Sequence, residues 1–214
     1  MPHANFYGHE LDEIFAKNAL ETLFPLFFDN IVCGDKPDLR QGDLFGIEVT
    51  KAACSKEQEF TGNWNQQVGR LASEVTAIIL KANPSYDSEG RLCSVNPPSE
   101  LISGTVDFQK VFEKKIQCLN DNYDTHFKYN CLFVYNLDYN HEKTIYEIFK
   151  IFDVIQHTAS LSGQKTFDIL FIWDSFKIHV YYSQRLSSAL IDEIFQKSAN
   201  KRWEMISQNT KPKK

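Results

Sequence analysis

Three apolar runs of strand length dominate the second half of the chain: KYNCLFVYN at 128–136, TFDILFIWD at 166–174 and FKIHVYYS at 176–183. Each is rich in aromatic and β-branched residues and too short for a core helix, so each reads as a strand. The third alternates, with Phe176, Ile178, Val180 and Tyr182 on one face and Lys177, His179 and Tyr181 on the other. Between the first two, residues 141–157 carry apolar side chains at helical spacing, and a last helix is expected over 187–205. Strands alternating with helices predict an α/β fold with a mixed central sheet and helices on both faces.

The first half fits the same plan. Leu11, Ile14, Phe15, Leu20 and Leu23 give an apolar face to a helix over 9–23, which Pro25 stops. Residues 26–33 read as a strand. The turn-rich GDKPDLRQGD follows, and then LFGIEVT at 44–50 reads as a second strand pairing with the first as a hairpin. A helix is expected over 63–82 with Asn63 as its N-cap, a proline- and glycine-bearing insertion loop over 83–104, and another helix from Asp107 to about residue 122. The chain is read as a single domain, 1–214, with a core at 9–136 and an elaboration at 137–214.

Composition narrows the function classes. With 17 Phe and 9 Tyr, a dense core forms without disulfide staples, and Phe133, Tyr135, Phe171 and Trp173 are assigned to that core rather than to base stacking. The five cysteines are odd in number, widely spaced and without a CxxC, which suits reduced thiols in the cytoplasm. The first residues, MPHANFYGHE, have no signal-peptide pattern, and no apolar run is long enough to span a bilayer. A net charge of −5 argues against a broad basic nucleic-acid surface, and the terminal Lys211, Lys213 and Lys214 read as a solvated tail. The six histidines lack metal-ligand spacing, and no phosphate-cradling glycine loop or GxSxG elbow occurs.

One segment carries chemistry. Asp38 follows Pro37 at a strand entrance, and Glu48 lies inside the apolar strand Gly46-Ile47-Glu48-Val49-Thr50-Lys51. Alternation sets Ile47 and Val49 on one face and Glu48 and Thr50 on the other. A carboxylate on a central strand is costly unless it is paired or coordinates a cation. Two carboxylates joined by a hairpin make a hard oxygen site suited to Mg²⁺ or Mn²⁺, and such a metal activates water against a phosphodiester.

The run "PDL…GIEVTKA", with its helix–strand–strand–helix–strand order, resembles the PD-(D/E)XK nuclease superfamily, whose members include restriction-endonuclease-like and RecB-like enzymes. The resemblance implies a restriction-endonuclease-like core over about the first two thirds of the chain and hydrolysis of nucleic acid, DNA in the first instance. Asp38 and Glu48 would be the metal-binding acids, and the carbonyl of Val49 a further ligand. The family's lysine belongs at position 50, where this chain has Thr50. Lys51 sits next to it with the wrong strand parity. A bulge could turn Lys51 inward, a lysine from the helix after Asp107 could substitute, or Thr50 could line an inactive site. On that helix Lys115 lies beside the apolar stripe of Val111, Phe112, Ile116 and Leu119, with Lys114 farther toward solvent; Lys115 is therefore ranked level with Lys51 and above Lys114. Further family positions fall on Gln66 and Gln67, and on Glu10 or Glu13 of the first helix. The competing readings are a non-catalytic protein of the same fold that binds nucleic acid or a protein, and an unrelated α/β interaction protein.

Overall fold

The structure is a computed structural model that describes residues 9–25, 27–102, 104–121, 127–135, 145–174, 178–183, 186 and 203–205. It falls into two compact units, residues 1–52 with 108–214, and residues 53–107.

The first unit is built on a seven-stranded sheet. In chain order its elements are helix α1 (His9–Leu23), strands β1 (Val32–Cys33), β2 (Leu39–Gln41) and β3 (Phe45–Lys51), then, after the second unit, α5 (Phe108–Asp121), β6 (Tyr129–Tyr135), α6 (Ile145–Leu161), β7 (Ile169–Trp173), β8 (Ile178–Tyr182) and β9 (Trp203–Met205). The strand order is β1-β2-β3-β6-β7-β8-β9. β1, β2 and β3 run antiparallel, β3, β6 and β7 parallel, β8 antiparallel to β7, and β9 parallel to β8. The sheet is thus mixed, and β3 is an interior strand, as the apolar flanks of Glu48 require. No helix among the described residues is long and apolar enough to cross a membrane.

Strand parity divides the core. Ile47, Val49, Cys131, Phe133, Ile169, Phe171, Ile178 and Val180 meet Ala16, Leu20, Leu23 and Phe24 from α1 and the residues just after it. Each such fully buried large side chain contributes on the order of 1.5–3 kcal/mol by leaving water. α5 and α6 cover the opposite face. Phe149 and Phe152 of α6 pack on Tyr181 of β8, at ring distances of 5.3 and 5.7 Å. α5 buries Phe108, Phe112, Ile116 and Leu119, a stripe at helical spacing, and Phe112 meets Phe152 at 5.0 Å.

The second unit contains α2 (Ser55–Gln67), a short 3-10 turn (Ala72–Glu74), α3 (Ala77–Leu80), the two-stranded β4 (Ser85–Tyr86) and β5 (Leu92–Ser94), and α4 (Ser99–Ile102). Its own core gathers Phe60, Val75, Ile79, Ala82 and Leu92.

Several boundaries differ from the sequence reading, each for a local reason. Residues 26–33 are not one strand: Phe27 and Phe28 donate their amides back to the Phe24 carbonyl in a helical turn, leaving only Val32–Cys33 extended. The hairpin partner of β3 is instead β2, with Leu39 opposite Ile47. The helix expected over 63–82 starts earlier, after Cys54, and ends at Gln67, because Gly69 takes φ +83° and gives its amide to Leu92. Asn63 is therefore mid-helix, its side chain donating to the Glu59 carbonyl. Residues 83–104 carry β4, β5 and α4. Residues 203–205 are a strand, and the rest of the expected last helix lies outside the described residues.

Gly46 fits this fold for a steric reason. A Cβ built there would stand 2.6 Å from Cδ2 and 2.8 Å from Cγ of Phe127, whose ring covers the strand two residues before Glu48. Gly46→Ala is expected to destabilise the protein by about 1–3 kcal/mol, a fall in Tm of several degrees on calorimetry. An unchanged Tm would mean that Phe127 moves aside freely.

Candidate active site

The hairpin sets the first two groups. Asp38 is the residue just before β2, and the β2–β3 register carries it toward the middle of β3. Its Oδ2 accepts a 2.7 Å hydrogen bond from the Val49 amide, which fixes the carboxylate against the strand. Glu48 points away from the α1 core, onto the face covered by α5, and is buried.

α5 supplies the third group. Lys115 adjoins the buried Ile116 and is itself half-buried, whereas Lys114 is exposed. The Lys115 Nζ donates to Glu48 Oε2 at 2.7 Å and lies 3.8 Å from Asp38 Oδ2. One ammonium thus faces two carboxylates, and the trio carries a formal charge of −1. Burial pushes the Glu48 carboxyl above its ordinary pKa, and the neighbouring Asp38 adds to the rise; the Lys115 ammonium opposes it but does not cancel it. Negative charge at this spot is under-compensated.

The other candidates fall elsewhere. Lys51 is paired with Tyr135 at the end of an unbroken β3–β6 register that begins at Phe45 and Tyr129, so no bulge turns it. It shares the parity of Ile47 and Val49, and its charge acts on Tyr135, which packs on Phe15 of α1 at 4.7 Å. Lys51 therefore belongs to the α1 face, opposite Glu48. Thr50 is on the Glu48 face, half-exposed. Glu13 rides on α1, and the Glu10 side chain lies outside the described residues. Gln66 and Gln67 belong to the second unit. Gln66 is exposed, while the amide of Gln67 exchanges two hydrogen bonds with Thr76, at 2.8 and 2.6 Å.

Sequence reasoning missed the Val49 amide that holds Asp38. The signal was available in principle, since a hairpin that sets Leu39 against Ile47 brings residue 38 beside 48 and 49.

The donors that could hold a cation are the carboxylates of Asp38 and Glu48, with the Val49 carbonyl as the further oxygen implied by the resemblance. No group of three or more His, Cys, Asp or Glu side chains suited to a metal occurs among the described residues. Two carboxylates are nonetheless what Mg²⁺ commonly takes, the rest of its shell being water and substrate oxygen. The hard donor set and the residual negative charge both fit such an ion.

Comparison with known proteins finds no matching family model, no similar curated protein and no similar solved structure.

Proposed function

We propose that this chain is a metal-dependent nuclease that hydrolyses phosphodiester bonds in DNA, with a restriction-endonuclease-like core in its first unit. The observation that carries the reading is the position of the Lys115 ammonium, hydrogen-bonded to Glu48 at 2.7 Å and 3.8 Å from Asp38. In this reading Lys115, 67 residues away from Glu48 in sequence but hydrogen-bonded to it, takes the role of the lysine absent from position 50.

In this proposal Asp38 and Glu48 hold Mg²⁺ or Mn²⁺, which when bound polarises the phosphodiester and lowers the pKa of a coordinated water. The Val49 amide orients Asp38. Lys115 opposes the effect of burial on Glu48, and in the loaded site would offer a fixed positive charge to the attacking water and to the charge growing on phosphate. Thr50 lines the same face. The five cysteines, all free, suit a reducing cytoplasm, where we place the protein.

The non-catalytic reading draws on the site having, among the described residues, two acidic side chains rather than three. Incubation of the purified protein with supercoiled and linear DNA, and with RNA in parallel, decides between them. Cleavage of DNA that requires Mg²⁺ or Mn²⁺ and stops with chelator is expected. Intact DNA with every divalent ion would favour the non-catalytic reading, and cleavage of RNA alone would correct the substrate.

A further inference from the structure

α5 and α6 lie side by side and parallel. Phe112 meets Phe152 near their middles, and Asn120 in the last turn of α5 exchanges two hydrogen bonds with the backbone of Lys165, just past α6. Between them runs an open groove of about 800 Å³. Its lining is mixed, with the apolar Ile116 from α5 and Ile151, Val154 and Ile155 from α6 set among polar side chains. These α6 residues form a second stripe, distinct from Ile148, Phe149 and Phe152, which face the sheet. Val154, 65% exposed, carries this stripe to the surface.

The rim decides what fits. Its α5 side carries Glu113 and Asp121, and its α6 side carries Lys150, which sits over the Tyr146 ring at 4.5 Å. Glu113 and Lys150 stand at the same level, since each is within two residues of the Phe112–Phe152 contact. A two-fold axis parallel to the helices sets the α5 rim of one copy against the α6 rim of another, bringing Glu113 opposite Lys150 twice. An axis across the helices would instead oppose Glu113 to Asp121. The rim is therefore self-complementary in one arrangement and repulsive in the other.

We infer that the α5–α6 groove is a homodimer interface, closed by the same groove of a second copy with Val154 at its centre and two reciprocal Glu113–Lys150 pairs at its edge. Lys115 projects from another side of α5, toward Glu48 on the sheet, and is not part of the groove. This inference does not depend on nuclease activity.

Sedimentation equilibrium of the full chain tests it. The protein is expected to dimerise, and Val154→Asp, a change at an exposed position, to weaken the dimer about a hundredfold. Glu113→Lys and Lys150→Glu should each weaken it about tenfold, since each reverses two pairs. The double charge swap should restore it. A monomer at all concentrations, a dimer indifferent to Val154→Asp, or a double swap no better than either single variant would each overturn the proposal.

Discussion

Lys115→Ala should abolish most DNA cleavage, by about 10²–10³-fold in rate, while Mn²⁺ binding survives. Removing one preorganised charge from a transition state has an effect of that order. Asp38 and Glu48 remain, and without the ammonium the net formal charge of the site goes from −1 to −2, so Mn²⁺ should bind at least as tightly. The variant should also be less stable in the absence of metal, by roughly 1–3 kcal/mol, because Glu48 loses its charged hydrogen-bond partner. Lys51→Ala is the internal comparison. Its side chain belongs to the opposite face of β3, so cleavage should stay within about twofold. Loss of activity in Lys51→Ala with full activity in Lys115→Ala would reverse the assignment.

Asp38→Ala and Glu48→Ala should each abolish Mn²⁺ binding, read by calorimetry as the disappearance of the binding heat. The two variants differ in what happens to the metal-free fold. Glu48 is held above its ordinary pKa by burial and by Asp38, so its ionised form is disfavoured in the native state. Between its unfolded pKa, near 4.5, and its raised native value the native state binds more protons than the unfolded one. Stability of the metal-free wild type should therefore fall as pH rises through that window, and the penalty should persist above it. Glu48→Gln, which keeps an acceptor for Lys115, should remove this contribution. Asp38→Ala should behave otherwise, because it strips the Val49 amide of its 2.7 Å acceptor. Equal pH profiles for wild type and Glu48→Gln would mean that the carboxyl titrates as it does in the unfolded chain.

The sequence disclosed the parts of this site that depend on local pattern. A carboxylate flanked by Ile47 and Val49 has to point to one face of a strand, and parity alone sets Lys51 on the other. The stripe of Phe112, Ile116 and Leu119 likewise set Lys115 near the buried side of α5 and Lys114 toward solvent. What pattern could not decide was which lysine meets Glu48. That depends on how α5 settles on the sheet, a non-local matter across 67 residues. The same limit explains the misread elements. Val68, Leu71, Val75 and Ile79 continue a helical spacing past Gln67, but Gly69 at positive φ gives its amide to β5 and ends the helix. Trp203–Met205 look helical by themselves and become extended by pairing with β8, with Ile178 opposite Trp203. Phe27 and Phe28 look like strand residues but turn back on Phe24 and fill the core.

The most direct test of the account is anomalous diffraction from crystals soaked in Mn²⁺. The account predicts a single strong peak within coordination distance, about 2.1 Å, of carboxylate oxygens from both Asp38 and Glu48, with the Lys115 ammonium displaced from its present contacts but still beside the ion. No peak there, or a peak held by other residues while Lys115 keeps its bond to Glu48, would contradict it.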